Sequence, residues 1–274
     1  MDVESYKNIV KKYTKKPPEE KTAWAGESGK LCIVFVEFRD LDIIKYNLWN
    51  LANVYGGTDA SLFIVHSGEN RDTITNVVKD WKNVKCKELF EHNIDVNEYS
   101  KLFTSVRFWN LFSDYEYVLT NQWDSYVFRP VPEKFFKYEY VGSPDGHYYI
   151  PINGSIMNIC ADTLCDCERC LRGDHFFKAS NFEKYPVKFY HLNGGYSLRK
   201  VSSMKQFCET RAYQGQPEDL YFTLSKLTRP TREEACEFGI NHLNHFTHSA
   251  PSGCHQVWAR GEKYVLSLFK ECNT

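Results

Sequence analysis

Four short stretches carry residue types that can do group-transfer chemistry. Val118-Leu119-Thr120-Asn121-Gln122-Trp123-Asp124-Ser125 is an apolar run ending in a carboxylate. Asp124 can offer oxygen to a hard divalent cation, manganese or magnesium, set against a departing diphosphate. It can equally cap the turn that follows. His191-Leu192-Asn193-Gly194-Gly195-Tyr196-Ser197-Leu198-Arg199 places two glycines between a strand and a helix. Paired glycines let backbone amides approach a sugar closely, and they also make an ordinary tight turn. In Gln216-Pro217-Glu218-Asp219-Leu220 the proline opens a helix with acids in its first turn. Capping accounts for that pattern, as does a general base taking a proton from an acceptor hydroxyl. Pro251-Ser252-Gly253-Cys254-His255-Gln256-Val257-Trp258 holds a lone histidine, which is either structural or a group that returns from the tail to a metal.

The elements that must position these stretches alternate. Buried-strand runs at Leu31–Phe38 and Ser61–His66, and strands at Val84–Phe90 and Tyr115–Thr120, are separated by helical periodicity at Leu41–Val54, Asp72–Trp81 and Tyr99–Phe112. That order predicts an α/β fold with a mainly parallel central sheet and helices on both faces. Later come a helix-to-strand unit at Phe135–Gly142, strands at Tyr148–Ile159 and Val187–Leu192, and helices at Val201–Arg211 and Glu218–Leu227. Beyond Pro230 few periodic signals remain. Residues 1–29 are charged, with Pro17-Pro18 breaking any helix, and predict a short helix and a linker. Residues 30–274 are expected to form one domain, with a nucleotide-facing half at 30–145 and an acceptor-binding half and C-terminal tail at 146–274.

Open parallel sheets bind ligands beyond the carboxyl ends of their strands. The candidates at those ends are Glu37, Phe38 and Arg39, then His66 and Ser67, then Asn121, Gln122, Trp123 and Asp124. The chain holds neither a GxGxxG after the first strand nor a GxxxxGK[ST], which argues against a dinucleotide fold and excludes a P-loop. With 34 basic and 35 acidic side chains and a net charge of −1, it lacks the basic footprint of a nucleic-acid binder. No apolar run is long enough to span a bilayer, and Met1–Lys16 is polar and lysine-rich rather than a signal segment. A cytoplasmic location with reduced thiols is therefore expected for the ten cysteines. Cys160, Cys165, Cys167 and Cys170 cluster in one segment; they are either free thiols or a zinc site of unusual spacing.

Taken in order, the stretches resemble the GT-A type of glycosyltransferase. More narrowly, the chain is similar to a family of glycosyltransferase-like domains of unknown function found in bacteria, eukaryotes and large viruses. The likeness runs from Leu31 to Trp258. It is carried by Ile33–Arg39, by Tyr99–Ser105 leading to Phe108–Phe112, and by Gln122–Ser125. Tyr140–Pro144, Asn193–Arg199, Pro217–Asp219 and Gly253–His255 complete it. The resemblance implies transfer of a sugar from a nucleoside-diphosphate sugar, with UDP favoured, to a hydroxyl on a glycan or glycoconjugate. It implies that Asp124 is the last acid of the Asp-x-Asp metal motif and His255 the tail ligand. Gln122 stands where that motif has its first Asp, so one carboxylate is lost. Glu37, Phe38, Arg39, His66, Thr104, Ser105, Gln122 and Trp123 would surround the donor. Asn193, Gly194, Gly195 and Trp258 would flank the sugar and acceptor. Asp219, with Glu218 as its competitor, would be the base of an inverting transfer.

Two rival readings stand beside this one. A nucleotide-sugar or glycan-binding module that has lost catalysis would bind donor without hydrolysing it. A zinc-stabilised interaction protein built on the cysteines would hold stoichiometric zinc and bind no nucleotide.

Overall fold

The computed structural model describes residues 1–26, 28–152, 155–160, 189–241 and 251–272. Its centre is a seven-stranded sheet in the order β3-β2-β1-β4-β8-β6-β7. The strands are β1 (Gly29–Val36), β2 (Ser61–Ser67), β3 (Val84–Phe90), β4 (Tyr115–Asn121), β6 (Tyr140–Ile152), β7 (Ser155–Cys160) and β8 (Phe189–Lys200). The first four are mutually parallel. The last three continue the sheet antiparallel. The parallel half is the part announced by alternating strand and helix signals.

Strand periodicity divides the core. Ile33 and Phe35 of β1 face one layer, where they meet Ile44, Leu48 and Leu51 of helix α2 (Ile44–Tyr55). Cys32, Val34 and Val36 face the other. There they meet Phe103 of α4 (Val96–Phe103), Phe108 and Trp109 of α5 (Val106–Asn110), and Tyr221 and Phe222 of α7 (Glu218–Thr223). Helix α3 (Arg71–Val78) adds Ile74 to the first layer, and α6 (Val201–Thr210) adds Met204 to the second. Sandwiched so, β1 is fully covered from Cys32 onward, which is why it reads as a continuous apolar run.

Three expectations change. The helix read across Tyr99–Phe112 is two helices. Thr104 Oγ1 turns back to the Ser100 carbonyl at 2.7 Å, and Ser105 Oγ caps α5 by accepting from Phe108 N. The glycine pair does not join a strand to a helix but lies within β8. Gly142 of β6 pairs with Ser197 while Ser143 pairs with Asn193, so Gly194, Gly195 and Tyr196 bulge between them.

The third change concerns both ends of the chain. Helix α1 (Val3–Tyr13) packs against α9 (Glu262–Cys272) and a small sheet in the order β5-β10-β9. That sheet comprises β5 (Ser125–Val127), β9 (Gly239–Asn241) and β10 (Gly253–His255), with helix α8 (Arg232–Phe238) leading into β9. Tyr6, Val10, Tyr126, Cys254, Val265 and Phe269 form this third core. The first residues are thus part of the fold rather than an appendage to it. Among the described residues no helix is long and apolar enough to cross a membrane.

Candidate functional site

An open cavity of about 650 Å³ lies beyond the carboxyl ends of β1 and β4. Four walls meet there: Val36–Arg39 after β1, Gln122–Asp124 after β4, Asn193 and Gly195 of the β8 bulge, and Pro217–Asp219 at the start of α7. Asn93–Val96, Tyr99 and Ser100 close one side, and His255, Gln256 and Trp258 the other.

The β1 exit is fastened from within. Glu37, 4% exposed, accepts from the backbone N–H groups of Phe38 and Arg39 at 3.0 and 2.9 Å. The Arg39 guanidinium grips the same carboxylate with Nε at 2.8 Å and Nη2 at 2.9 Å. Two-pronged pairing of this kind fixes geometry as well as charge. Arg39 also lies over the Trp123 ring, 5.5 Å from its centroid. Trp123 in turn stacks on Trp258 at 5.7 Å. These residues make an aromatic and cationic shelf at the mouth of the cavity.

Asp124 and His255 meet at its floor. Both are buried, with Asp124 Oδ1 3.3 Å from His255 Nε2, and neither atom has a hydrogen-bond partner among the described residues. Asp124 Oδ2 accepts from Gln256 Nε2 at 2.9 Å. His255 Nδ1 lies 3.3 Å from Asn241 Oδ1; an amide oxygen can only accept, so that nitrogen carries the proton. Nε2 is then a lone pair facing a carboxylate oxygen, and two acceptors so placed require a proton or a cation between them. Burial pushes the Asp124 carboxyl up, while the facing His255 and the Gln256 hydrogen bond outweigh it, leaving it below the usual carboxylate range. This carboxylate and imidazole are the residues of the site that could hold a hard divalent cation. Among the described residues no group of three His, Cys, Asp or Glu converges on one point.

The bulge of β8 ties these groups together. The Gly195 carbonyl accepts from Gln122 N and from Ser125 Oγ, each at 3.1 Å. A Cβ at Gly195 would lie 2.3 Å from His255 Nε2 and 2.6 Å from Gln122 Oε1. A Cβ at Gly194 would lie 2.1 Å from Glu218 Oε1. Absence of side chains is therefore what lets β8 pass between the two sides of the site. Asn193 holds the bulge by accepting from Gly195 N at 2.8 Å.

Another wall carries two acids at the N-terminus of α7. Glu218 Oε2 pairs with Arg199 Nη2 at 2.9 Å, and Arg199 is wholly buried. Its guanidinium carbon lies 5.1 to 5.8 Å from the ring centroids of Phe103, Trp109, Tyr140 and Phe222. Burial raises the Glu218 carboxyl, Arg199 pulls it back and the Asp219 charge raises it again, with a net upward shift. Asp219 Oδ2 lies 3.2 Å from His191 Nε2, and Oδ1 accepts from Leu220 N at 2.7 Å. Burial raises this carboxyl too, but the His191 charge and these hydrogen bonds leave it lowered.

Not every candidate reaches the cavity. His66, at the end of β2, is buried with Nδ1 at its own neighbour's Ser67 carbonyl. The Asn70 side chain separates it from the site, bonding Ser67 N, the Glu37 carbonyl and the Arg39 carbonyl. Thr104 and Ser105 do not line the cavity either, since their hydroxyls serve the junction of α4 and α5. Gly194 sits behind Gly195, against Glu218. Cys160 ends β7, whereas Cys165, Cys167 and Cys170 lie outside the described residues.

Several residues of the site escaped the sequence reading. Tyr99 lies in a stretch that carried the family likeness, and its hydroxyl accepts from Gln122 Nε2 at 2.6 Å. Gln256 adjoins His255. His191 and Arg199 flank the glycine pair, but strand pairing across the sheet is what directs them to α7.

A comparison with curated proteins finds no match. Among solved structures the chain is similar to the galactosyltransferase LgtC in complex with donor and acceptor sugar analogues. That likeness has 11% identity and a TM-score of 0.48, covering 88% of this chain and 95% of that one. It is also similar to mouse xyloside xylosyltransferase 1 in its apo form, with 11% identity and a TM-score of 0.41, covering 90% of this chain and 94% of that one. A family model described as a protein of unknown function, DUF5672, matches residues 83–255. The chain belongs to that family.

Proposed function

We propose that this protein is a glycosyltransferase that moves a sugar from a nucleoside-diphosphate sugar, UDP favoured, to an acceptor hydroxyl on a glycan or glycoconjugate. The observation that carries the reading is a convergence on one cavity, which the buried pair Asp124 and His255 and the acids Glu218 and Asp219 line together. The shelf of Arg39, Trp123 and Trp258 suits a nucleotide's flat base and ribose. Asp124 and His255 would hold manganese or magnesium, which neutralises charge on the departing diphosphate. Asn193 and Gly195 border the space left for the sugar.

Asp219 takes the acceptor proton as the new bond forms, because a neutral hydroxyl is a poor nucleophile. His191 holds its carboxylate in place at 3.2 Å, and the Leu220 amide fixes the second oxygen. Attack from the wall opposite the diphosphate inverts the anomeric configuration.

The direct test is thermal stabilisation and calorimetric binding across a panel of nucleotide sugars, with and without manganese. Asp124→Ala is expected to abolish the manganese-dependent part. Equal donor and metal affinity in that variant would overturn the assignment of Asp124.

A further inference from the structure

We infer that the side-chain carbonyl of Gln122 is an oxygen ligand of the cation held by Asp124 and His255, with Tyr99 as the residue that aims it. This rests on the reading above and adds a third protein group to that seat.

The argument begins with the amide. Gln122 Nε2 lies 2.6 Å from the Tyr99 hydroxyl oxygen. An amide nitrogen can only donate, so Tyr99 is the acceptor and the orientation of the Gln122 amide is set. Tyr99 is itself anchored, its ring stacked on Phe103 at 4.5 Å. With Nε2 committed, Oε1 must face the other way, and it does: toward Gly195, at the point where His255 Nε2 also arrives. Asp124 Oδ1 is 3.3 Å from that nitrogen. An imidazole nitrogen and an amide oxygen therefore meet over a glycine whose missing side chain leaves them room, with a carboxylate oxygen beside the nitrogen. The buried carboxylate oxygen and imidazole nitrogen have no hydrogen-bond partner among the described residues.

This set has one formal negative charge. Amide oxygens are ordinary ligands for hard cations, and a neutral oxygen holds a divalent ion less tightly than a carboxylate does. The chain thus keeps the number of oxygen ligands while lowering the charge of the seat. More of the ion's positive charge is left for the diphosphate.

The experiment is a manganese titration in the presence of UDP, read by electron paramagnetic resonance, on the whole chain and three variants. A second readout uses ¹⁷O-enriched water to count the waters on the bound ion. Tyr99→Phe releases the amide, and losing such an outer partner weakens manganese by about tenfold. Gln122→Leu is expected to weaken it further and to admit one more water to the ion. Gln122→Glu, close in shape, restores a carboxylate and is expected to bind manganese more tightly than the parent. Gln122→Leu with parental affinity and parental water count would overturn the proposal. So would a Gln122→Glu variant with unchanged affinity, which decides the matter even where the leucine variant fails to fold. A parent chain that binds no manganese with UDP would remove both this inference and the metal-assisted reading. A parent that binds it, beside indifferent Gln122 variants, removes this inference alone.

Discussion

His191 Nε2 lies 3.2 Å from Asp219 Oδ2, and Asp219 lines the same cavity as Asp124. The contact separates the chemistry of two adjacent acids. Burial raises both carboxyls, but the His191 charge brings Asp219 below the ordinary range, while Glu218 stays above it. With Asp219 as base, the active carboxylate is complete above its depressed value and is lost only as pH falls through it. The acid limb of kcat/KM is therefore expected below the ordinary carboxylate range. Asp219→Asn should keep donor affinity and lose roughly two to four orders of magnitude in turnover. An acid limb above that range, or near-normal turnover in Asp219→Asn, would transfer the role to Glu218. Proton NMR of the product should show inverted configuration, and a retained product would remove the base role from Asp219.

Arg199 and Glu218 make a different kind of prediction. Each is buried, and the pair is surrounded by aromatic rings. Removing one partner leaves the other charge unmatched in a low-dielectric place. Arg199→Met should destabilise the fold by about 3–5 kcal/mol. The double variant Arg199→Met, Glu218→Gln should recover part of that loss, because no bare charge remains. Chemical denaturation of the three chains measures it. A double variant as unstable as the single one would mean that packing, not charge, dominates at Arg199.

Gly195 offers a local test of how closely β8 approaches the site. Gly195→Ala would put a methyl group 2.3 Å from His255 Nε2 and 2.6 Å from Gln122 Oε1, inside contact distance of both. Manganese-dependent donor binding should fall at least about tenfold, as expected when a ligand is displaced from its seat. Donor binding unchanged in this variant would show that β8 yields easily and that the approach is not a constraint.

Much of this was legible beforehand, for reasons that can be located. The central strands β1 and β4 are covered on both faces over most of their length, so Leu31–Phe38 and Tyr115–Thr120 announce themselves as apolar runs. The end of β4 follows directly, and with it Asp124. The bulge at Gly194–Tyr196 was not legible, because a strand that bends around a site carries the same glycines as a turn. His66 misled for a related reason. It ends a strand as Glu37 does, but Asn70 fills the space in front of it. The small sheet was hidden because its strands have only three residues each, too few to show a period.

The contact that sequence reasoning had least reason to expect is Tyr6 against Trp258. Their ring centroids are 5.1 Å apart, Tyr6 is fully buried, and Phe269 of α9 meets Tyr6 edge-on at 6.4 Å. Trp258 stands three residues beyond His255 and also stacks on Trp123, next to Asp124. Helix α1 therefore braces the segment that brings His255 to Asp124. Tyr6→Ala should cost about 3–5 kcal/mol, the usual loss for a large buried ring, and should weaken manganese binding as His255 loses support. Tyr6→Phe should behave differently. The Tyr6 hydroxyl is buried with no hydrogen-bond partner among the described residues. Desolvating an unpaired hydroxyl is unfavourable, so removing it while keeping the ring should leave stability unchanged or raise it by about 1 kcal/mol. Thermal unfolding and the manganese titration, run on both variants, separate ring from hydroxyl. Loss of stability in Tyr6→Phe would mean that the hydroxyl has a partner. Unchanged manganese affinity in a folded Tyr6→Ala chain would mean that His255 is held in place without help from α1.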